Sequence, residues 1–99
     1  MAIRGVLRHE SITVSTTAVG MTVTQAAGGH PDAAIVTVED AAIRFTIDGT
    51  TATTTVGHIA EHGDVIELVG RDELARFSAI SKNGGTATLK VTQGNEHAA

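Results

Sequence analysis

Apolar and polar residues trade places at every second position in one short stretch after another, and each stretch meets a turn signal before it could make a helix. The pattern is cleanest between Ala41 and Asp64. There Ile43, Phe45 and Ile47 alternate with Arg44 and Thr46, the period of a half-buried strand. The run stops at Asp48-Gly49-Thr50, where glycine accepts positive φ and the carboxylate can bond the backbone just beyond it. A small Thr-rich connection follows, then Gly57-His58, then a second turn at Gly63-Asp64 that launches the next strand.

The same pattern runs through the rest of the chain. Ser11–Ser15 and Met21–Thr24 are β-branched and alternating. Ala26–Asp32, with Gly28-Gly29 and Pro31, reads as a loop. Ala34–Glu39 is a strand with Val36 and Val38 predicted inward. Val65, Ile66, Leu68 and Val69 are all apolar, so that strand's facing is ambiguous and both its faces are candidates for cover. Gly70–Ala75 is one helical turn with acidic residues near its start, where they complement the exposed N–H groups. Asn83-Gly84 suits a type I′ turn and predicts a hairpin joining Phe77–Ser81 to Thr86–Thr92. About seven or eight short strands at this spacing predict an all-β fold, a small antiparallel β-sandwich or β-barrel with at most one helical turn near 71–75. The expected organisation is an N-terminal arm over 1–9, a single β domain over 10–93 and a flexible polar tail over 94–99.

Composition narrows function more than it names it. A net charge of −4 with only two aromatic residues, Phe45 and Phe77, lacks the basic stripe and stacking rings of a nucleic-acid binder. The absence of cysteine removes disulfides, thiol catalysis and cysteine-containing zinc sites together. No apolar run reaches the roughly 18 residues of a membrane span, and the first residues show no secretory apolar core. The chain reads as a protein made in a cytosol, with no membrane partner. A core of Ala, Val, Ile and Leu buries less area per residue than an aromatic one, which argues for some stability from neighbouring subunits.

Catalytic patterns are weak. His58 and His62 are four apart, but Gly57 and Gly63 bracket them and argue for a loop, where that spacing does not set two ligands on one helix face. Asp48, Glu61 and Asp64 lack the alternation of a calcium loop. No Gly-x-Ser-x-Gly elbow and no glycine-rich phosphate loop occurs. The reading is therefore a non-enzymatic protein without cofactor or metal, in which Asp48, Gly49, Thr50, Gly57, His58, Gly63, Asp64, Asn83 and Gly84 shape turns. Its candidate partner contacts are the arm residues Ile3, Arg4, Val6, Leu7 and Arg8, then Val65 and Val69, and Arg44. The arm is expected either as an edge strand or a frayed end, or as a segment docking on another subunit by strand addition. Arg44 is expected to pair across strands with Glu39, Glu67 or Asp64, or to meet a partner carboxylate.

Several spaced blocks, in order, resemble small structural proteins of tailed phages and prophages. They are Ile43-Arg44-Phe45-Thr46-Ile47-Asp48-Gly49-Thr50-Thr51, then Val56-Gly57-His58, then Gly63-Asp64-Val65-Ile66-Glu67-Leu68. Phe77, Ala79-Ile80 and Ala87-Thr88-Leu89-Lys90-Val91-Thr92 complete them, over the C-terminal two-thirds of the chain. Ala52 stands where these proteins often carry proline, and Gln93 where the last strand often ends in an aromatic. The resemblance implies a virion role, foremost a capsid decoration (cement) protein on the outer surface of the head. Such a protein would contact the major capsid protein and itself, often as a homotrimer, and hold the shell against packaged DNA. A neck or tail component fits the same pattern. Phe45-Thr46-Ile47-Asp48-Gly49-Thr50 also looks like the turn of immunoglobulin-like modules on glycan-degrading enzymes, which would imply glycan binding or adhesion.

Overall fold

The computed structural model describes residues 5–22 and 30–95. Seven strands and one short helix follow in the order β1 (Gly5–Val14), β2 (Ala33–Glu39), β3 (Ile43–Thr46), β4 (His58–Ala60), β5 (Val65–Val69), α1 (Arg71–Arg76), β6 (Ser78–Ser81) and β7 (Ala87–Asn95). They form two antiparallel sheets, one of four strands in the order β1-β7-β2-β5 and one of three in the order β4-β3-β6. The expected all-β class holds, and of its two forms the open two-sheet one is found rather than a closed barrel.

Alternation decides which side chains meet between the sheets. The inner face of the larger sheet carries Val14, Ala34, Val36, Val38, Ile66, Leu68, Ala87, Leu89 and Val91, and the smaller sheet answers with Ile43, Ala60 and Ala79. Helix α1 lies against β2 and β5 and adds Leu74, with Phe77 just beyond its last turn. Its start is held by Glu73, whose Oε1 accepts from the Val69 N–H at 2.9 Å. The β5 strand, ambiguous in sequence, alternates cleanly. Ile66 and Leu68 are buried, while Val65 and Val69 are 59% and 47% exposed.

Three expectations are corrected. The Asn83-Gly84 turn makes no hairpin, because β6 lies in the smaller sheet and β7 in the larger, so residues 82–86 carry the chain between layers. Gly84 has the positive φ (81°) that the turn signal promised, but a turn fixes local direction and not strand pairing. The arm takes the edge-strand form expected of it, since residues 5–9 belong to β1 at the edge of the larger sheet and pair with β7, from Gly5 opposite Asn95 onward. The chain does not become a loose tail after Gln93, because Gly94 and Asn95 complete β7 and Gln93 is fully buried. The strand expected at Met21–Thr24 is not seen at Met21 and Thr22, and its remainder lies outside the described residues. Val19 instead makes a single bridge to Ala79 on β6.

One core position works against stability. Ser81 faces Ile43 with 1% of its surface exposed, and its hydroxyl has no hydrogen-bond partner. A buried unsatisfied hydroxyl carries its desolvation cost without return. Ser81→Ala is therefore expected to match the parent or to exceed it by about 1 kcal/mol, measured as the unfolding free energy in urea. A loss above that size would refute this account of the position.

Candidate interaction surfaces

The organising stretch builds a cover rather than a cleft. After β3 the chain turns at Asp48-Gly49-Thr50, where the Thr50 N–H donates to Asp48 Oδ1 at 3.0 Å and Gly49 has φ 92°. That N–H, with the Thr50 hydroxyl, holds the Asp48 carboxyl below the ordinary carboxylate range. The Thr-rich segment then folds back over the outward face of the smaller sheet. The Ala52 N–H reaches Ser78 Oγ at 3.1 Å, and the Thr46 hydroxyl donates to the Thr50 carbonyl.

Arg44 fixes the far end of this cover. Its Nε donates to the Thr54 carbonyl and its Nη1 to the Gly57 carbonyl, each at 2.9 Å. These two donations replace the expected cross-strand pairing with carboxylates, and they give Arg44 an internal task. The rigid fork of an arginine suits two carbonyls on one loop. Gly57, at φ 126°, sits against the Phe45 backbone, so the chain enters β4 with no room for a side chain.

His58 is the first residue of β4 rather than part of a turn, and its ring lies 5.6 Å from that of Phe45. His62 sits in the following turn, where the Glu61 N–H donates to Asp64 Oδ2 at 2.8 Å and Gly63 takes φ 94°. The pair therefore occupies a strand and a turn, not one helix face. Among the described residues no cluster of three or more His, Asp or Glu side chains is placed to hold a metal, and no helix is long and apolar enough to cross a membrane. Phe45 stacks on Phe77 with centroids 6.0 Å apart, which commits both aromatic rings of the chain to each other. A depression lined by Pro31, Arg71, Asp72, Leu74 and Ala75 lies beside α1.

At the other end of the larger sheet the inner face turns polar. Gln93, fully buried, donates from Nε2 to the Thr22 carbonyl at 2.7 Å. Arg8 Nη1 reaches the same carbonyl at 3.2 Å and Gln93 Oε1 at 3.3 Å. The Glu10 carboxylate accepts from the Thr22 N–H and hydroxyl, both at 3.0 Å. Arg8, expected to meet a partner, thus helps hold Thr22 in place. Gln93 continues the alternation of Ala87, Leu89 and Val91, which was its readable signal.

The exposed apolar residues gather on both layers. Val6 (65% exposed), Val65 and Val69, the valines named above as candidate partner contacts, lie on the two edge strands of the larger sheet. Leu7 is half-buried at a β-bulge in β1, while Ile3 and Arg4 lie outside the described residues. A second group was not anticipated. Val56 and Ile59 are 42% and 46% exposed at the edge of the smaller sheet, Ile59 being directly opposite Arg44. Comparison with family models, with curated proteins and with solved structures returns no match for this chain.

Proposed function

We propose that this is a non-enzymatic virion structural protein, a capsid decoration protein on the outer surface of the head that bridges neighbouring major capsid subunits. The observation that carries the reading is the presence of two exposed apolar groups on opposite layers of one small fold. Val6, Val65 and Val69 mark one, and Val56 with Ile59 the other. A protein that glues neighbours needs at least two contact surfaces, and repeated copies make individually modest contacts sufficient. The blocks between Ile43 and Thr92 that resemble phage structural proteins point the same way.

The test is particle occupancy. Purified virions are expected to carry the protein in proportion to their capsid subunits, and Val56→Lys with Ile59→Lys is expected to cut occupancy about tenfold, the loss of roughly 1.4 kcal/mol of contact. Substitution is preferable to trimming the N-terminus, because residues 5–8 belong to the β1–β7 ladder. A handful of copies per particle would move the protein to the neck or tail. Its absence from particles, or unchanged occupancy in the double variant, would overturn the bridging role.

A further inference from the structure

The two edges of the four-stranded sheet fit one another. Among the described residues β1 pairs only with β7, and β5 only with β2, so each leaves one side open. All three pairings in this sheet are antiparallel, which makes β1 and β5 run in opposite directions. A second copy set beside the first in the same orientation therefore offers an antiparallel β1 to β5.

The register supports this arrangement. Residues on the outward face lie in rows: Val6, Gly94, Ala33, Val69 in one, His9, Thr92, Ile35, Glu67 in the next, and Ser11, Lys90, Thr37, Val65 in the third. The bulge at Leu7 brings Val6 and His9, three apart in sequence, onto that same face. Backbone bonds from Gly70 to Asp32 and from Val38 to Asp64 turn the even-numbered positions of β2 toward β5. Alternation across the sheet then leaves the N–H and C=O groups of His9 and Ser11 facing one free edge, and those of Val65 and Glu67 facing the other, where the Val69 N–H is already taken by Glu73 Oε1 and only its C=O remains.

We propose that copies of this chain associate head to tail, β1 of one adding to β5 of the next, so that the sheet continues from molecule to molecule. Extending the rows without stagger sets Val6 against Val69 and His9 against Glu67, apolar against apolar and imidazole against carboxylate. The alternative two-fold pairing of β5 with itself, centred on that strand, sets Glu67 against Glu67, and like charges directly opposite destabilise a sheet. A head-to-tail contact closes into a ring when the rotation between copies allows it. This assigns the first of the two surfaces in the bridging reading to a second copy, and its test needs no particle.

The chain has no cysteine, so introduced thiols report on one contact alone. Within one molecule Val6 and Val69 stand three strand spacings apart, about 14 Å, well outside disulfide reach. Val6→Cys and Val69→Cys proteins, mixed under mild oxidation, are expected to form mixed dimers about 100-fold faster than either variant pairs with itself, because the contact raises the local thiol concentration. Both sites are exposed, so the variants keep the fold, which an unchanged unfolding midpoint verifies. Mixed pairing of Val65→Cys with Val69→Cys faster than that of Val6→Cys with Val69→Cys would overturn the arrangement in favour of the two-fold contact, which sets those two positions opposite each other. Pairing of Val6→Cys with Val69→Cys no faster than that of an Asn83→Cys control would overturn it outright. Either result leaves particle occupancy as a separate question.

Discussion

Replacing Gly57 with alanine is expected to lower the thermal unfolding midpoint by about 15 °C, the equivalent of roughly 3 kcal/mol in a domain of this size. Two costs add at this position. The backbone sits at φ 126°, a region that side-chain-bearing residues seldom occupy, and holding one there costs on the order of 1–3 kcal/mol. The new Cβ would also lie 2.9 Å from the Phe45 carbonyl oxygen and 3.1 Å from its nitrogen. Those atoms belong to the β3–β4 ladder, where Phe45 pairs with His58, and cannot swing aside as a flexible side chain would. Gly63→Ala is the informative control. It shares the positive φ, at 94°, but meets nothing within 4 Å, so only the conformational cost applies. Calorimetry on the two variants separates crowding from strain, and equal losses would remove the crowding argument.

Leu89→Ala is expected to cost about 3–5 kcal/mol, the upper part of the range for a leucine emptied from a tight core. Leu89 is wholly buried in β7, with Ile12 opposite it on β1 and Val38 opposite it on β2. Those neighbours are fixed by ladders on both sides, so the cavity has little freedom to collapse. Against a total of roughly 5–15 kcal/mol for a natural domain, the variant stands near the limit of folding. Urea titration of the parent and variant measures the difference directly. A cost below about 1 kcal/mol would mean that this part of the core is far softer than its burial implies.

The strands were legible because their alternation is local. Ile43, Phe45, Val36, Val38 and the Ala87–Val91 series declare their faces without knowledge of any partner. The helical turn at Arg71–Arg76 was legible from its length and its early acidic residues. Layer membership was not. Asn83-Gly84 reports a sharp turn, but whether the flanking strands pair or part depends on competition for neighbours, and β7 is taken on both sides by β1 and β2.

Arg44 was placed on the correct face of β3 and given the wrong partners, since the loop that returns to it is not encoded by any spacing in β3 itself. The valines at 6, 65 and 69 were readable as an excess beyond one buried face. Val56 and Ile59 were not, because short polar surroundings hide an apolar pair until the loop is seen folded over the sheet. Gln93 was read only as the last residue of the domain, although its position in the period of two marked it as inward.

The position of the last strand has a consequence for how the protein comes into being. β7 is central in its sheet, joining β1 to the β2–β5 pair, yet it is translated after every other strand. A nascent chain that has not reached Ala87 holds the two flanks of that sheet with nothing between them, and Leu89 and Val91 are still missing from the core. Stepwise assembly on the ribosome is thereby denied to the larger layer. Closure waits for the final segment and then joins residues more than 80 positions apart, as in Gly5 with Asn95, which places the protein among slow folders governed by distant contacts.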